Sequence, residues 1–147
     1  MKFQTLCSLS AVALSTFISA TTVHADPRGL WLAEDGAKVR VASCGKAVCG
    51  KIAVTKSPTN PDTGRPWTDM NNLDSQLRDR PLLGVEVFIN MMPDGPGKWT
   101  GELYDTGRGQ KFPGHLYEVD AKTLRVEGCA GPNGGEPCGH RDLPRLE

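Results

Sequence analysis

The residues of this chain best suited to chemistry are its cysteines, of which two flank a turn in the segment VASCGKAVCGKI, residues 41–52. Such a pair suits a redox switch, half of a metal site or a structural disulfide. Neither the spacing of Cys44 and Cys49 nor that of Cys129 and Cys138 is the Cys-x-x-Cys of thioredoxin-like proteins. Four-thiolate zinc sites also use closer pairs of ligands. Structural disulfides are therefore favoured over redox or metal chemistry.

The N-terminal segment, residues 1–25, has the order of a secretory signal peptide. Lys2 precedes an apolar run that ends near Ala20, and small residues lead to a predicted cleavage site after Ala25. The run is too short for a membrane span, which needs about 20 strongly apolar residues. Cleavage removes Cys7 and leaves four cysteines in a single exported domain, residues 26–147, whose expected location is the periplasm.

The paired cysteines also predict a β-hairpin. If Cys44 lies directly opposite Cys49, one face of the hairpin is aliphatic and the other carries both cysteines. Directly opposed residues have Cα atoms about 4.5 to 5.5 Å apart, which a disulfide accommodates. The aliphatic pairs would be Val41 with Ile52 and Val39 with Val54.

A tighter turn, at residues 45–46, would preserve the two faces but would place Cys44 opposite Ala47. The bridge therefore favours the wider loop. A second bridge, between Cys129 and Cys138, is predicted across a glycine-rich turn.

Catalytic and metal-binding patterns are sparse. His140 is the one histidine next to a predicted disulfide, and it has no second histidine or Cys-x-x-Cys with which to bind zinc. The chain has no nucleophile elbow, zinc-protease helix or phosphate loop. Its 17 basic and 17 acidic residues form no basic stripe for nucleic acid. We expect neither an enzyme nor a cofactor, and no partnership with nucleic acid.

The rest of the mature chain consists of about eight short strand-like segments separated by Gly, Pro and Asp turns. This pattern predicts an all-β protein, an antiparallel up-and-down barrel of about eight strands. One such segment, residues 82–91, alternates Leu83, Val85, Val87, Ile89 and Met91 on one face. The inward residues would form an apolar lining: Trp31, Val39, Val41, Ile52, Val54, Val85, Val87, Trp99 and Leu103.

One connection, residues 57–81, is longer than loops in compact domains usually are. Its polar composition fits a lid over the barrel or a simple cap. The stretch NNLDSQLRDR predicts a short helix capped by Asn72, with Leu73 and Leu77 packed inward. Arg78 and Arg80 are its clustered cations.

The sequence resembles a secreted bacterial family described as domain of unknown function 2147. The resemblance rests on the two Cys-Gly motifs and on the Leu77 to Leu82 run followed by Gly84. It implies a fold and an exported location but no activity.

A second resemblance is to lipocalin-like barrels, which open with Gly-x-Trp and close with a basic residue over that Trp. Here Trp31 and Arg145 have these positions, with Arg141 as an alternative partner. The resemblance implies a clasp between the two ends of the chain, to which a cation–π contact contributes roughly 0.5 to 2 kcal/mol.

Two functions fit this sequence. A barrel of eight strands has room for one small ligand or for a packed core, and Gly84 and Gly101 would leave space among the lining side chains. We therefore predict a binding protein for a small apolar molecule. The alternative is an interaction module of the cell envelope, which binds a protein partner through the 57–81 loop with Arg78 and Arg80 as contact residues.

Overall fold

The computed structural model describes residues 25–129, 131 and 137–147, so the predicted signal peptide, apart from Ala25, lies outside the described residues. Eight antiparallel strands form one sheet in sequence order. The sheet curls into a nearly closed barrel, which confirms the predicted all-β architecture. The strands are β1 Gly29–Leu32, β2 Lys38–Cys44, β3 Ala47–Val54, β4 Glu86–Pro93, β5 Lys98–Asp105, β6 Gln110–Asp120, β7 Thr123–Cys129 and β8 Cys138–Pro144.

The up-and-down order gives the barrel two different ends. At the mouth lie the connections 33–37, 55–85 and 106–109. The opposite end carries the turns 45–46, 94–97 and 121–122 together with the two chain segments 25–28 and 145–147. Every connection joins neighbouring strands, and the longest described one, 55–85, lies at the mouth.

The two predicted disulfides, Cys44–Cys49 and Cys129–Cys138, are present. The predicted register of the first hairpin is wrong: the tight turn forms, and Cys44 faces Ala47 while Cys49 faces Ala42. The bridge runs diagonally between strands, with Cα atoms 5.8 Å apart, which lies within the range of disulfides. A disulfide therefore does not require directly opposed cysteines.

The clasp predicted from Trp31 and Arg145 closes the barrel end opposite the mouth. The guanidinium carbon of Arg145 lies 4.1 Å from the centre of the Trp31 ring, and the indole has no exposed surface. Arg145 also donates to the carbonyl oxygens of Asp26 at 2.7 Å, Arg28 at 2.5 Å and Ala121 at 2.8 Å. One side chain thus connects the N-terminal segment, β1 and the turn after β6.

Strand β4 departs from the predicted alternation. Asn90 has a φ of 48°, and the pairing with β5 shifts register between Ile89 and Met92, as at a β-bulge. Phe88 and Met91 consequently face the core, while Leu83 is exposed. Alternation predicted one face for the whole segment because the sequence gives no sign of the extra residue.

A second bulge explains the position of Val54, which was predicted to point inward. Pairing between β2 and β3 shifts so that Val39 faces Ile52 but Lys38 faces Val54. Val54 therefore shares the side of Lys38, on the outside, and is 45% exposed. Its assignment to the lining was wrong.

The core fills the barrel away from the mouth. The larger of two clusters of buried side chains extends across the strands: Trp31, Val39, Val41, Val48, Phe88, Met91, Trp99, Leu103, Leu116, Leu124 and Leu143. Gly101 was expected to leave room inside, yet a Cβ there would lie 2.6 Å from the Ile89 carbonyl oxygen. This glycine allows β5 to approach the bulged β4, and Gly84 borders open space outside the core.

The long connection contains less helix than predicted. A single turn of 3-10 helix covers Ser75–Leu77, and its N-cap is Asp74 rather than Asn72. Leu73 is 69% exposed and Leu77 is 36% exposed, so neither packs inward as expected.

Candidate functional site

The mouth of the barrel holds a cavity of about 610 Å³, within the range of small-molecule sites. Its apolar lining comes from several strands and from Leu82: Val39, Ile52, Leu82, Val87, Phe88, Val126 and Leu143. Polar and charged groups surround the opening: Glu34, Asp35, Thr55, Lys56, Thr68, Asn71, Asp105 and Arg141. An apolar interior below a polar rim suits a molecule with an apolar body.

The structure brings only part of the predicted lining to this cavity. Val39, Ile52 and Val87 line it, whereas Trp31, Val41, Trp99 and Leu103 belong to the packed core. Val85 joins a separate buried cluster with Ile52 and Tyr104. Sequence alternation distinguishes inside from outside but not the packed end from the open end.

The lining residues missed by the sequence prediction are Phe88, Leu82, Val126, Leu143 and Trp67. Strict alternation would put Phe88 on the outer face, whereas the bulge in β4 turns it inward. Val126 and Leu143 lie on β7 and β8, which carry few apolar residues. The signal available in the sequence was the alternation of Leu124 with Val126 along β7.

Trp67 crosses the mouth as part of the long connection. Its indole Nε1 donates to Ser57 Oγ at 3.0 Å, and Lys56 Nζ lies 4.3 Å from the ring centre. The backbone of Leu82 donates to the Trp67 carbonyl oxygen at 2.9 Å. Lys56 has no carboxylate within ion-pair distance among the described residues, so its charge at the rim is available to an anion.

A buried polar network fixes the connection to β5. The side chain of Asp69 has no exposed surface. It accepts hydrogen bonds from Tyr104 Oη at 2.6 Å, from Asn72 Nδ2 at 2.8 Å and from Arg80 Nε at 2.9 Å. Because every polar atom of this buried carboxylate has a partner, the network holds one loop conformation.

The protonation of this network follows from its contacts. Burial by itself would raise the pKa of Asp69, but hydrogen bonds from Tyr104, Asn72 and Arg80 and the charge of Arg80 hold it below its ordinary value. Burial and the neighbouring Asp69 carboxylate raise the pKa of Tyr104 to about 12. At neutral pH, Asp69 is therefore ionised and Tyr104 keeps its proton.

Arg78 and Arg80 were predicted as contact residues for a partner, but both are engaged within the chain. Arg80 forms an ion pair with Asp69 at 2.7 Å, and Arg78 Nε donates to the Asn72 carbonyl oxygen at 2.8 Å. These arginines order the connection, so their replacement would change stability as well as any surface contact.

One hydroxyl elsewhere lies beside a histidine and a carboxylate. Thr100 Oγ1 donates to Asp94 Oδ2 at 2.8 Å and lies 2.9 Å from His115 Nδ1. The hydroxyl proton that points at Asp94 is not available to His115, so this arrangement does not contain the hydroxyl-to-imidazole hydrogen bond of a nucleophile–base pair.

Among residues 25–129, 131 and 137–147, no group of three or more His, Cys, Asp or Glu residues is placed to hold a metal ion. No helix in the same ranges has the length and apolar character needed to cross a membrane.

Comparison with known proteins identifies the family. Residues 29–135 match the family described as "Uncharacterized protein conserved in bacteria (DUF2147)". The chain belongs to the DUF2147 family. No curated protein matches the sequence.

A solved structure shows the same fold as this DUF2147 protein. It is described as protein HP1028 from the human pathogen Helicobacter pylori, which belongs to the lipocalin family. The TM-score is 0.67 at 15% sequence identity, over 83% of this chain and 84% of that chain. At this identity the likeness establishes a lipocalin-like barrel and nothing of its ligand.

Proposed function

We propose that this DUF2147 protein is a non-enzymatic binding protein that holds one small, mainly apolar molecule in the mouth of its barrel. The observation that carries the proposal is the cavity of about 610 Å³, whose apolar lining is open at the mouth while the rest of the barrel is packed. Ligand sites of this kind combine an apolar interior with a few polar groups. Lys56, beside Trp67, favours a ligand whose polar end is anionic.

The location we propose is the periplasm, after cleavage behind Ala25. Support comes from the order of residues in the N-terminal segment and from the two disulfides, which indicate a non-cytoplasmic protein.

Native mass spectrometry of protein released gently from the periplasm tests the function directly, because a co-purifying molecule identifies the ligand class. A ligand at one hundred times its dissociation constant should stabilise the folded state by about 2.7 kcal/mol. For a domain of this size the melting temperature should then rise by roughly 10 °C. An adduct-free spectrum together with a flat thermal-shift screen of fatty acids and aromatic compounds would refute the proposal.

A matched pair of variants locates the site. Val126 lines the cavity, whereas Val119 on β6 is 50% exposed on the barrel surface. Val126→Trp should weaken binding by roughly tenfold because it occupies part of the cavity. Val119→Trp should leave binding unchanged, and equal effects of the two variants would exclude the cavity as the site.

The second candidate function, an interaction module, has its own observation. Leu73 and Leu77 on the long connection are exposed although both are large and apolar. Leu73→Ala with Leu77→Ala should abolish capture of a protein partner while the melting temperature stays unchanged. Retained capture would remove this candidate.

A further inference from the structure

The barrel closes along only part of the seam between its first and last strands. Trp31 pairs with Arg145, the Leu146 amide donates to the Leu30 carbonyl oxygen at 2.7 Å, and the Leu30 amide donates to the Glu147 carbonyl oxygen at 3.3 Å. All of these contacts lie on the clasp side of the seam. From Trp31 towards the mouth, the described residues of β1 and β8 form no ladder pair with each other.

Pro144 explains why pairing stops at this point. Successive backbone amides of a strand point to opposite neighbours. The Arg145 amide donates to the Lys122 carbonyl oxygen and the Leu146 amide to Leu30, so position 144 faces β1. Proline has no amide hydrogen with which to extend the ladder.

The unpaired part of the seam is a slot of about 430 Å³. Leu32 lies on its β1 side, and His140 and Pro144 lie on its β8 side. Three residues, Ala33, Glu34 and Arg141, line both the slot and the mouth cavity. The slot and the cavity are therefore neighbouring spaces that share a boundary.

Among the described residues, one ion pair spans the slot at that boundary. Arg141 Nε lies 2.5 Å from Glu34 Oε2, and the two side chains are 68% and 75% exposed. Exposed pairs of this kind are weak and easily separated. The clasp is different, because Arg145 combines a stacked, fully buried indole with three backbone carbonyls.

We propose that this slot is a lateral entrance to the cavity and that the Glu34–Arg141 pair is its latch; this inference rests on the proposed binding function. The connection across the mouth is fixed by the buried Asp69 network, which leaves the seam as the less restrained boundary of the cavity. Separation of β1 from β8 near Ala33 opens a path for an apolar molecule between the two strand edges, while the clasp keeps the barrel intact.

Charge reversal tests the latch, with N-phenyl-1-naphthylamine as a fluorescent apolar probe followed by stopped-flow mixing. Glu34→Arg and Arg141→Glu each place like charges across the slot. Each variant should raise both the association and the dissociation rate constant by about fivefold. The double variant Glu34→Arg/Arg141→Glu should restore both rates to the wild-type values. Unchanged rates in the single variants, or a double variant that fails to restore them, would overturn the proposal.

The control is an ion pair that does not cross the seam. Arg125 on β7 and Asp142 on β8 pair at 2.7 Å along an existing ladder. Arg125→Glu should leave both rate constants at wild-type values. A change of the dissociation rate alone in Glu34→Arg would indicate direct contact with the probe and would also overturn the latch.

If neither the probe nor any compound in the thermal-shift screen binds wild-type protein, the binding function is refuted, but the mobility of the seam is not. Amide hydrogen exchange then decides the second point. Glu34→Arg should accelerate exchange about fivefold at Ala33 and Gly36, whose amides are hydrogen-bonded within the 33–37 connection that carries Glu34, and should leave Leu30 and Leu146 unchanged. Equal exchange in wild type and variant would overturn the opening of the seam.

Discussion

The contribution of Arg145 to stability can be calculated from its contacts. Its contact with the buried Trp31 ring at 4.1 Å contributes roughly 0.5 to 2 kcal/mol. Its three hydrogen bonds to carbonyl oxygens add about 1 kcal/mol each at most, because part of the guanidinium is exposed and one geometry serves all of the contacts. Arg145→Ala should therefore lower the free energy of unfolding by about 3 kcal/mol.

Urea unfolding followed by tryptophan fluorescence measures this loss, and a thermal scan should show a fall of about 12 °C in melting temperature. Arg141→Ala is the matched control, since Arg141 lies on β8 four residues before Arg145 and forms an exposed pair with Glu34 and one hydrogen bond to the carbonyl oxygen of its neighbour His140. Its effect should stay within about 0.5 kcal/mol. Arg145→Lys should show an intermediate loss, because lysine keeps the charge without the planar fork. A loss below about 1 kcal/mol for Arg145→Ala, or equal losses for Arg145→Ala and Arg141→Ala, would refute the clasp.

Three other predictions concern the loop, the bulge and the disulfides. Asp69→Asn should lower the free energy of unfolding by about 2 to 3 kcal/mol, because partly exposed Arg80 loses its partner. The pKa of Asp69 is lower in the folded state than in the unfolded chain, where it is near 3.9. The contribution of Asp69 to the free energy of unfolding is therefore fully present above the unfolded pKa and is lost as the pH falls through the folded pKa. Urea titrations should therefore show a steeper acid loss in wild type than in Asp69→Asn, and parallel curves would contradict the network. Gly101→Ala should lower the free energy of unfolding by about 2 kcal/mol. The control Gly139→Ala should leave it unchanged, because a Cβ at that position meets nothing within 4 Å. Equal melting temperatures of the two variants would contradict the close approach of β4 and β5. Replacement of both Cys44 and Cys49 by Ser should lower the free energy of unfolding by about 2 kcal/mol, a modest loss because the disulfide closes a short loop. Urea unfolding measures this loss, and a value near zero would show that the disulfide does not stabilise the fold.

Local sequence signals predicted the fold well. Turn residues at short intervals gave eight strands in meander order, and Trp31 with Arg145 indicated where the chain ends meet. The turns depend on residues that are close in sequence, and the Trp31–Arg145 contact follows from the order of the strands. Register was less predictable, because the diagonal disulfide tolerates a turn of either length.

The candidate site was only partly predictable because it depends on bulges and on a loop. The bulge at Asn90 moves Phe88 to the cavity, and the shift near Ala53 moves Val54 out of it. Trp67 reaches the mouth on the long connection, which the Asp69 network fixes to β5. A two-residue period in hydrophobicity contains neither kind of information.

The contacts that join the first and last strands are strong at one end of the barrel and weak at the other. At one end, a buried indole, a guanidinium and backbone pairing hold β1 to β8. Towards the mouth, Pro144 ends the pairing, and among the described residues the one ion pair across the seam, Glu34–Arg141, is exposed. Local opening occurs where few buried contacts oppose it. Separation of the strands is therefore expected next to the cavity and not at the clasp, so the barrel can admit a ligand without losing its core.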